Sequence, residues 1–135
     1  MFADTPMPTP YDSALQSLFN QLPDIHSAVL ARSDGFEIAQ ATRGTVAAAR
    51  LAALASSMLA LGTAALRELG LGSSGSVLIE GQRGKLLLLD VPVDGQPLVL
   101  AVVGSDSVIT GSLLWVARDC VRQIVETTPN QGITS

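Results

Sequence analysis

The spacing of apolar residues changes several times along the chain, and each change predicts a new secondary-structure element. Between residues 11 and 22, apolar side chains recur every three or four positions, as they do along one face of a helix. Asp12 or Ser13 is expected to cap this helix, and Pro23 is expected to end it. The first element is therefore a short amphipathic helix.

Two strands joined by a tight turn are predicted next. Residues 25–31 are apolar with β-branched members, and Phe36, Ile38 and Ala39 continue the apolar pattern after a break. The break is Ser33-Asp34-Gly35, a hairpin signal in which the glycine can adopt a positive φ. Both strands are expected to point apolar side chains toward a core.

The longest uninterrupted pattern is a helix predicted over residues 45–69, with Thr45 as its N-cap and Gly70 and Gly72 at its end. No charged residue occurs between Leu51 and Leu66, so this helix has two apolar stripes instead of one. The members of the first stripe are Leu51, Leu54, Met58, Leu61 and Ala65. The members of the second stripe are Ala52, Ala55, Leu59, Leu66 and Leu69. The periodicity leaves open which stripe faces the rest of the domain.

Three strands and a last helix complete the pattern. The segments SVLIEG, KLLLLDV and LVLAVVG are separated by turns rich in Gly, Pro and Asp. The runs LLLL and LVLAVV do not alternate polar with apolar residues, which indicates a sheet covered on both faces. A helix is predicted over residues 107–126. Its expected inward residues are Val108, Leu113, Leu114, Ala117, Val121, Ile124 and Val125.

The order of elements, αββαβββα, predicts an α/β fold of the α+β sandwich type. Because the connections are short, neighbouring strands are expected to be antiparallel and to form one five-stranded sheet. The long helix would cover one face, and the two terminal helices would cover the other. Residues 11–126 are predicted to form the domain, residues 1–10 a disordered arm, and residues 127–135 a flexible tail.

Composition restricts how such a domain can stay soluble. Of the 135 residues, 47% are hydrophobic and only 15% are charged, against about 25% charged in typical soluble domains. Too few charges remain to coat the surface of a monomer, so we expect an oligomer or an obligate partner. The uncharged stripe of Leu51, Leu54, Met58, Leu61 and Ala65 is the expected dimer interface, and the small residues Ala55 and Gly62 would allow two helices to approach closely.

The charge pattern excludes several classes of partner. The net charge is −4 and the basic residues are scattered singly, whereas nucleic-acid binding needs a clustered positive surface. The uncharged part of the long helix spans about 24 Å, less than the roughly 30 Å of a bilayer core. We therefore expect no membrane insertion. Cys120 is the only cysteine, which fits a reducing compartment and predicts a cytoplasmic location.

No catalytic, cofactor or metal site is predicted. His26 is the only histidine, and it has no neighbouring group with which to form a nucleophile–base pair or a metal cluster. Cys120 is expected to be a buried structural residue. Arg50, Arg67 and Arg83 are expected to be solvated surface charges. The segment GLGSSGS follows a helix and precedes a strand, the reverse of the order in a phosphate-binding loop.

Three segments, together with the element order, resemble the Roadblock/dynein light chain family across residues 11–126. VLARSDGFEIA is similar to the first two strands of that family and their turn. LAALASSMLALGTAALRELGLG is similar to its central helix, and VLIEGQRGKLLLLDV to its third and fourth strands. The short chain, without further domains, is most similar to the bacterial stand-alone members.

The resemblance implies a non-catalytic dimeric module that binds a small Ras-like GTPase and alters its GTP hydrolysis or its localisation. In this family the central helices pack antiparallel across a twofold axis and the third strands pair, so Val77, Leu78 and Ile79 join the expected interface. The best-known bacterial members activate a polarity GTPase without inserting an arginine finger.

Three questions stay open: which GTPase is bound, whether it is activated, inhibited or only localised, and whether the natural dimer contains one chain or two different ones. The alternative is a scaffold subunit of a motor, kinase or signalling complex with no effect on GTP turnover. A small-molecule sensor is disfavoured, because few polar groups can converge on a pocket.

Overall fold

A computed structural model describes residues 8–43, 47–73 and 75–128 of the chain. The element order αββαβββα is the predicted one. Residues 1–7 of the predicted arm (1–10), the predicted Thr45 cap, and residues 129–135 of the predicted tail (127–135) lie outside the described residues. The elements are α1 (Asp12–Gln21), β1 (Ile25–Arg32), β2 (Glu37–Thr42), α2 (Ala48–Glu68), β3 (Ser76–Gly81), β4 (Gly84–Val91), β5 (Leu98–Ser105) and α3 (Thr110–Thr127).

The five strands form one antiparallel sheet in the order β2-β1-β5-β4-β3. The most apolar strand, β5, therefore lies at the centre, and β2 and β3 are the edges. Leu100 pairs with Leu30 on one side and with Leu89 on the other. A central strand is covered on both faces, which explains why LVLAVV carries apolar side chains at consecutive positions.

The sheet is covered as the sequence predicts. Alternate strand residues such as Leu87 and Leu100 pack with α1 and α3 in the larger core. The intervening residues, such as Leu88 and Val99, pack with Leu59 of α2 on the other face. The fold is thus a three-layer α+β sandwich with a single helix on one side.

The ends of the helices depend on local chemistry. The prediction that Asp12 caps α1 is wrong, because Asp12 is the first residue of the helix. Its carboxylate accepts hydrogen bonds from the Thr9 hydroxyl (2.7 Å) and amide (3.0 Å). These bonds lower the pKa of Asp12. Gly70 has φ +67°, and this left-handed residue follows α2 as predicted. Gly35 has φ +99° in the predicted turn between β1 and β2.

Three sequence predictions near the surface need correction. The apolar pattern places Phe36 in a strand and in the core, but it precedes β2 and is 65% exposed, with the Arg32 guanidinium 4.8 Å above its ring. The last helix begins at Thr110, because Ser105–Ser107 form a turn first. Val125 is 37% exposed, whereas Val116, which was not among the predicted inward residues, is buried. The predicted inward residues Leu113, Ala117 and Ile124 are fully buried, so the prediction for α3 is wrong only at the margin of its inward face.

Candidate functional site

The sheet-facing side of α2 is the stripe of small residues. Ala52 and Ala55 are at most 1% exposed, and Leu59 packs against Leu88 and Val99. Ser56 is also buried, and its hydroxyl donates to the carbonyl oxygens of Ala52 and Arg32. Small side chains allow a helix backbone to lie close to a sheet. The stripe that the periodicity could not assign is thereby assigned to the domain's own core.

The opposite stripe remains largely uncovered by the domain's own residues. Leu54 is 53% exposed and Leu61 is 70% exposed, and Ala65 is exposed beside them. Leu51 and Met58 are half-buried at the margin of the α2 core. Leu54 and Leu61 are one helical heptad apart, so they project on the same side of α2.

Two residues predicted for a helix–helix interface have a different role within one chain. Ala55 is 1% exposed and contacts its own sheet, so it is not available to a second copy. Gly62 does allow a close approach, but the neighbour is Val77 of β3: a Cβ atom at Gly62 would lie 2.9 Å from its Cγ2. Both small residues therefore bring α2 close to its own sheet.

Strand β3 lies at the sheet edge, as the hypothesis of strand pairing requires. It pairs with β4 on one side only, with Val77 opposite Leu88 and Ile79 opposite Leu86. Val77 packs beneath α2, whereas the side chain of Leu78 packs into the core on the α1 and α3 side. The backbone of Leu78 is free to pair with a second strand, but its side chain does not contribute to a surface on the α2 side. Glu80 is the only charge in the first five residues of the edge.

Partly exposed strand residues lie beside the α2 stripe at the β3 edge. Ile79 of β3 is 40% exposed. It lines a hollow of about 510 Å³ together with the half-buried Leu86 and Val103. We call Leu54, Met58, Leu61, Ile79 and Leu86 the α2–β3 surface. Its five members are apolar, as at the centre of a protein–protein interface, and Arg83 and Lys85 also line the hollow beside Ile79.

The side chains that could carry chemistry are dispersed. Among residues 8–43, 47–73 and 75–128, no group of three or more His, Cys, Asp or Glu side chains could hold a metal ion. The Nδ1 atom of His26 contacts the Ser27 hydroxyl at 3.1 Å. Arg50, Arg67 and Arg83 are exposed, as predicted for solvated charges.

Cys120 is buried, as predicted, with 1% exposure, and its thiol donates to the Ala14 carbonyl oxygen at 3.4 Å. Burial raises the pKa of Cys120 to about 12, with a further contribution from the Asp119 charge. We expect the native thiol to react with a disulfide reagent about a thousandfold more slowly than the unfolded chain, since only the thiolate is nucleophilic. Release of the chromophoric leaving group, with and without guanidinium, measures this difference. Equal rates would contradict the burial of α3 against α1.

A second exposed apolar region was not predicted. Trp115 of α3 is 67% exposed and lines a hollow of about 620 Å³ together with Arg118 and Arg122, and Ile109, the residue before α3, is 70% exposed. Trp115 precedes these arginines by three and seven positions, a spacing that places all three on one helix face. The helical spacing of Trp115 from Arg118 and Arg122, two residues that face solvent, is the sequence signal that could have identified Trp115 as exposed.

Helix α2 also meets the length and composition criteria for a membrane span. It is the one such helix in the part of the chain described, with a mean hydropathy of 1.5. Core helices of soluble domains meet the same criteria, and Ala52, Ala55 and Leu59 of α2 pack in the domain's own core. The apolar composition of α2 is accounted for by its contact with the sheet and by the α2–β3 surface.

Comparison with known families decides the classification. The model of the Roadblock/LC7 domain matches residues 11–104, well over half of the chain. The chain belongs to the Roadblock/LC7 family. The match extends from the start of α1 into β5, and α3 follows it. A search of curated protein sequences gives no match.

Solved structures agree with the family assignment. A Roadblock/LC7 domain from Streptomyces avermitilis is 25% identical with a TM-score of 0.75, covering 84% of this chain and 92% of that one. MglB from Myxococcus xanthus is 16% identical with a TM-score of 0.76, covering 87% and 94%. The gliding protein mglB from Thermus thermophilus is 19% identical with a TM-score of 0.74, covering 90% and 93%. The two MglB structures share the fold of this Roadblock domain.

Proposed function

We propose that this Roadblock domain is a cytoplasmic, non-catalytic module that forms a homodimer and regulates a small Ras-like GTPase. The observation that carries the proposal is the α2–β3 surface. It combines an uncharged helix stripe with a free strand edge in a chain that belongs to the Roadblock/LC7 family. The direction of regulation and the individual GTPase are not part of the proposal.

Self-association is favoured by the chemistry of this surface. Leu54 and Leu61 expose more than half of their areas, and burying them removes apolar area from water without desolvating a charge. A twofold axis beside β3 would pair the edge with its own copy, since antiparallel pairing of identical strands is compatible with twofold symmetry. The same axis would place the two α2 helices side by side.

A GTPase as the second partner is favoured by family membership. The Roadblock resemblance implies that such domains accompany Ras-like GTPases. In this proposal the domain supplies a binding platform, and the nucleotide chemistry belongs to the GTPase.

The test combines binding with turnover. We expect the purified domain to co-elute with the Ras-like GTPase encoded nearest to it in one nucleotide state more than in the other. We also expect it to change either that protein's rate of GTP hydrolysis or its distribution in the cell. Size-exclusion chromatography with GDP and with a non-hydrolysable GTP analogue measures the first effect, and phosphate release measures hydrolysis. Absence of binding in both nucleotide states would remove the GTPase from the proposal.

A scaffold function is the second candidate, and Trp115 is the observation that favours it. A scaffold needs a second attachment surface beyond the dimer interface, and Trp115 is exposed on α3, which covers the face of the sheet opposite α2. Tryptophan is among the residues that most often dominate binding energies. A stable larger assembly that contains no GTPase and is lost in a Trp115→Ala variant would favour this function.

A further inference from the structure

Helix α2 lies directly against the edge strand at Gly62. A Cβ atom built there would lie 2.9 Å from Cγ2 of Val77. Carbon atoms in favourable contact are separated by about 3.5–4.0 Å. Alanine at position 62 would therefore require β3, the Val77 side chain or α2 to move.

The backbone gives no other reason for glycine at this position. Gly62 lies inside α2 and is not among the glycines with positive φ, which in the described chain are Gly35, Gly70, Gly72 and Gly95. Glycine inside a helix is unfavourable relative to alanine, because it loses more conformational freedom on folding. The contact with Val77 is the feature of the structure that requires a residue without a side chain.

The position of Gly62 links the two parts of the α2–β3 surface. Gly62 follows the exposed Leu61 and lies one turn beyond the half-buried Met58. Val77 lies two residues before Ile79, which is 40% exposed on the same side of β3. The distance between the helix stripe and the strand edge is thus determined where Gly62 and Val77 meet.

We propose that Gly62 is a positioning residue for self-association. By allowing α2 to lie directly against Val77, it holds the Leu54–Leu61 stripe and the β3 edge at a spacing where a second copy can contact both at once. Paired strands need a separation of about 4.7–4.9 Å and packed helices one of about 8–10 Å. Both conditions must be met by a single rigid placement of the partner copy. The inference rests on the proposed homodimer and adds the residue that makes its two contact regions compatible.

The test is a set of four variants measured by sedimentation equilibrium: Gly62→Ala, Val77→Ala, the double variant, and Gly111→Ala. Gly111 is an exposed glycine of α3 where an added Cβ has no atom within 4 Å, so it controls for the general effect of replacing a helical glycine. We expect Gly62→Ala to raise the dimer dissociation constant by at least about tenfold, given the steric overlap at Val77. We expect Gly111→Ala to change it by less than about twofold.

The double variant distinguishes a positioning role from general damage to the fold. Replacing Val77 by alanine removes Cγ2, the atom that the new Cβ would meet. The double variant should therefore dimerise as tightly as Val77→Ala alone, within about threefold, as coupled neighbours do in a mutant cycle. If Gly62→Ala fails to fold, the double variant keeps the inference testable: a folded double variant that dimerises more than about threefold more weakly than Val77→Ala would contradict it.

Two results would overturn the inference while leaving the homodimer intact. The first is a Gly62→Ala dimer as tight as the wild type. The second is a double variant no better than Gly62→Ala. A wild-type protein that remains monomeric at all concentrations would instead refute the homodimer itself, so the two failures are distinguishable.

Discussion

We expect Leu61→Arg to convert the protein from a dimer into a soluble monomer of 14.0 kDa. Leu61 is 70% exposed, so the substitution removes little packing from the folded chain. In a twofold dimer each substitution occurs twice, and losing two buried leucine side chains costs about 3–6 kcal/mol of association free energy. Two arginine charges introduced near the twofold axis would weaken association further. Static light scattering over a dilution series measures the change.

Ile109→Arg is the matched control for this prediction. Ile109 is also 70% exposed, but it directly precedes α3, the helix that packs on the other side of the sheet from α2. The same charge introduced there should leave the dimer unchanged. If Ile109→Arg dissociates the dimer and Leu61→Arg does not, the dimer interface lies on the Trp115 side, and the α2–β3 surface is not the interface.

The largest effect on stability is expected from Leu100→Ala. Leu100 is fully buried in the central strand β5 and lies within the larger core. Truncation of a buried leucine leaves a cavity that close-packed neighbours cannot fill, and typical costs are about 2–5 kcal/mol. Chemical denaturation followed by circular dichroism gives the free energy of unfolding. All variants must be compared at one protein concentration, because unfolding of a dimer depends on it.

Leu71→Ala is the control for the effect of losing a leucine side chain from the surface. Leu71 is 65% exposed in the segment after α2. Surface substitutions of this kind usually change stability by no more than about 0.5 kcal/mol. If Leu100→Ala lowers the free energy of unfolding no more than Leu71→Ala does, β5 is not the packed centre of the sheet.

The α1–β1 and β4–β5 regions illustrate what sequence patterns could predict. Pro23 and the Ser33-Asp34-Gly35 turn act locally, so they mark where α1 ends and where β1 turns into β2 without reference to the rest of the chain. The apolar runs in β4 and β5 require cover on both faces whatever supplies it, and the structure confirms that cover. The edge position of β3, which strand pairing requires, comes from the strand order and not from the sequence pattern.

The errors at Phe36 and Val125 come from side chains whose environment depends on distant parts of the chain. Phe36 is apolar, but its position next to Arg32 at a turn leaves its ring in solvent, with the guanidinium above it. Val125 follows the fully buried Ile124 on α3, but its own side chain is 37% exposed. Hydrophobicity alone does not distinguish an apolar residue in the core from one at its margin.

The sequence by itself determined the order of elements, the two-sided cover of the sheet and the shortage of charge that favours association. These properties follow from local periodicity, turn residues and composition, which act over a few residues at a time. Only the tertiary structure decided that Ala52, Ala55 and Leu59 face the sheet while Leu54 and Leu61 face outward. Both stripes of α2 are apolar, so periodicity could not choose between them. The small residues Ala52 and Ala55 let the inward stripe lie close to the sheet, and at Gly62 an added Cβ would lie only 2.9 Å from Cγ2 of Val77.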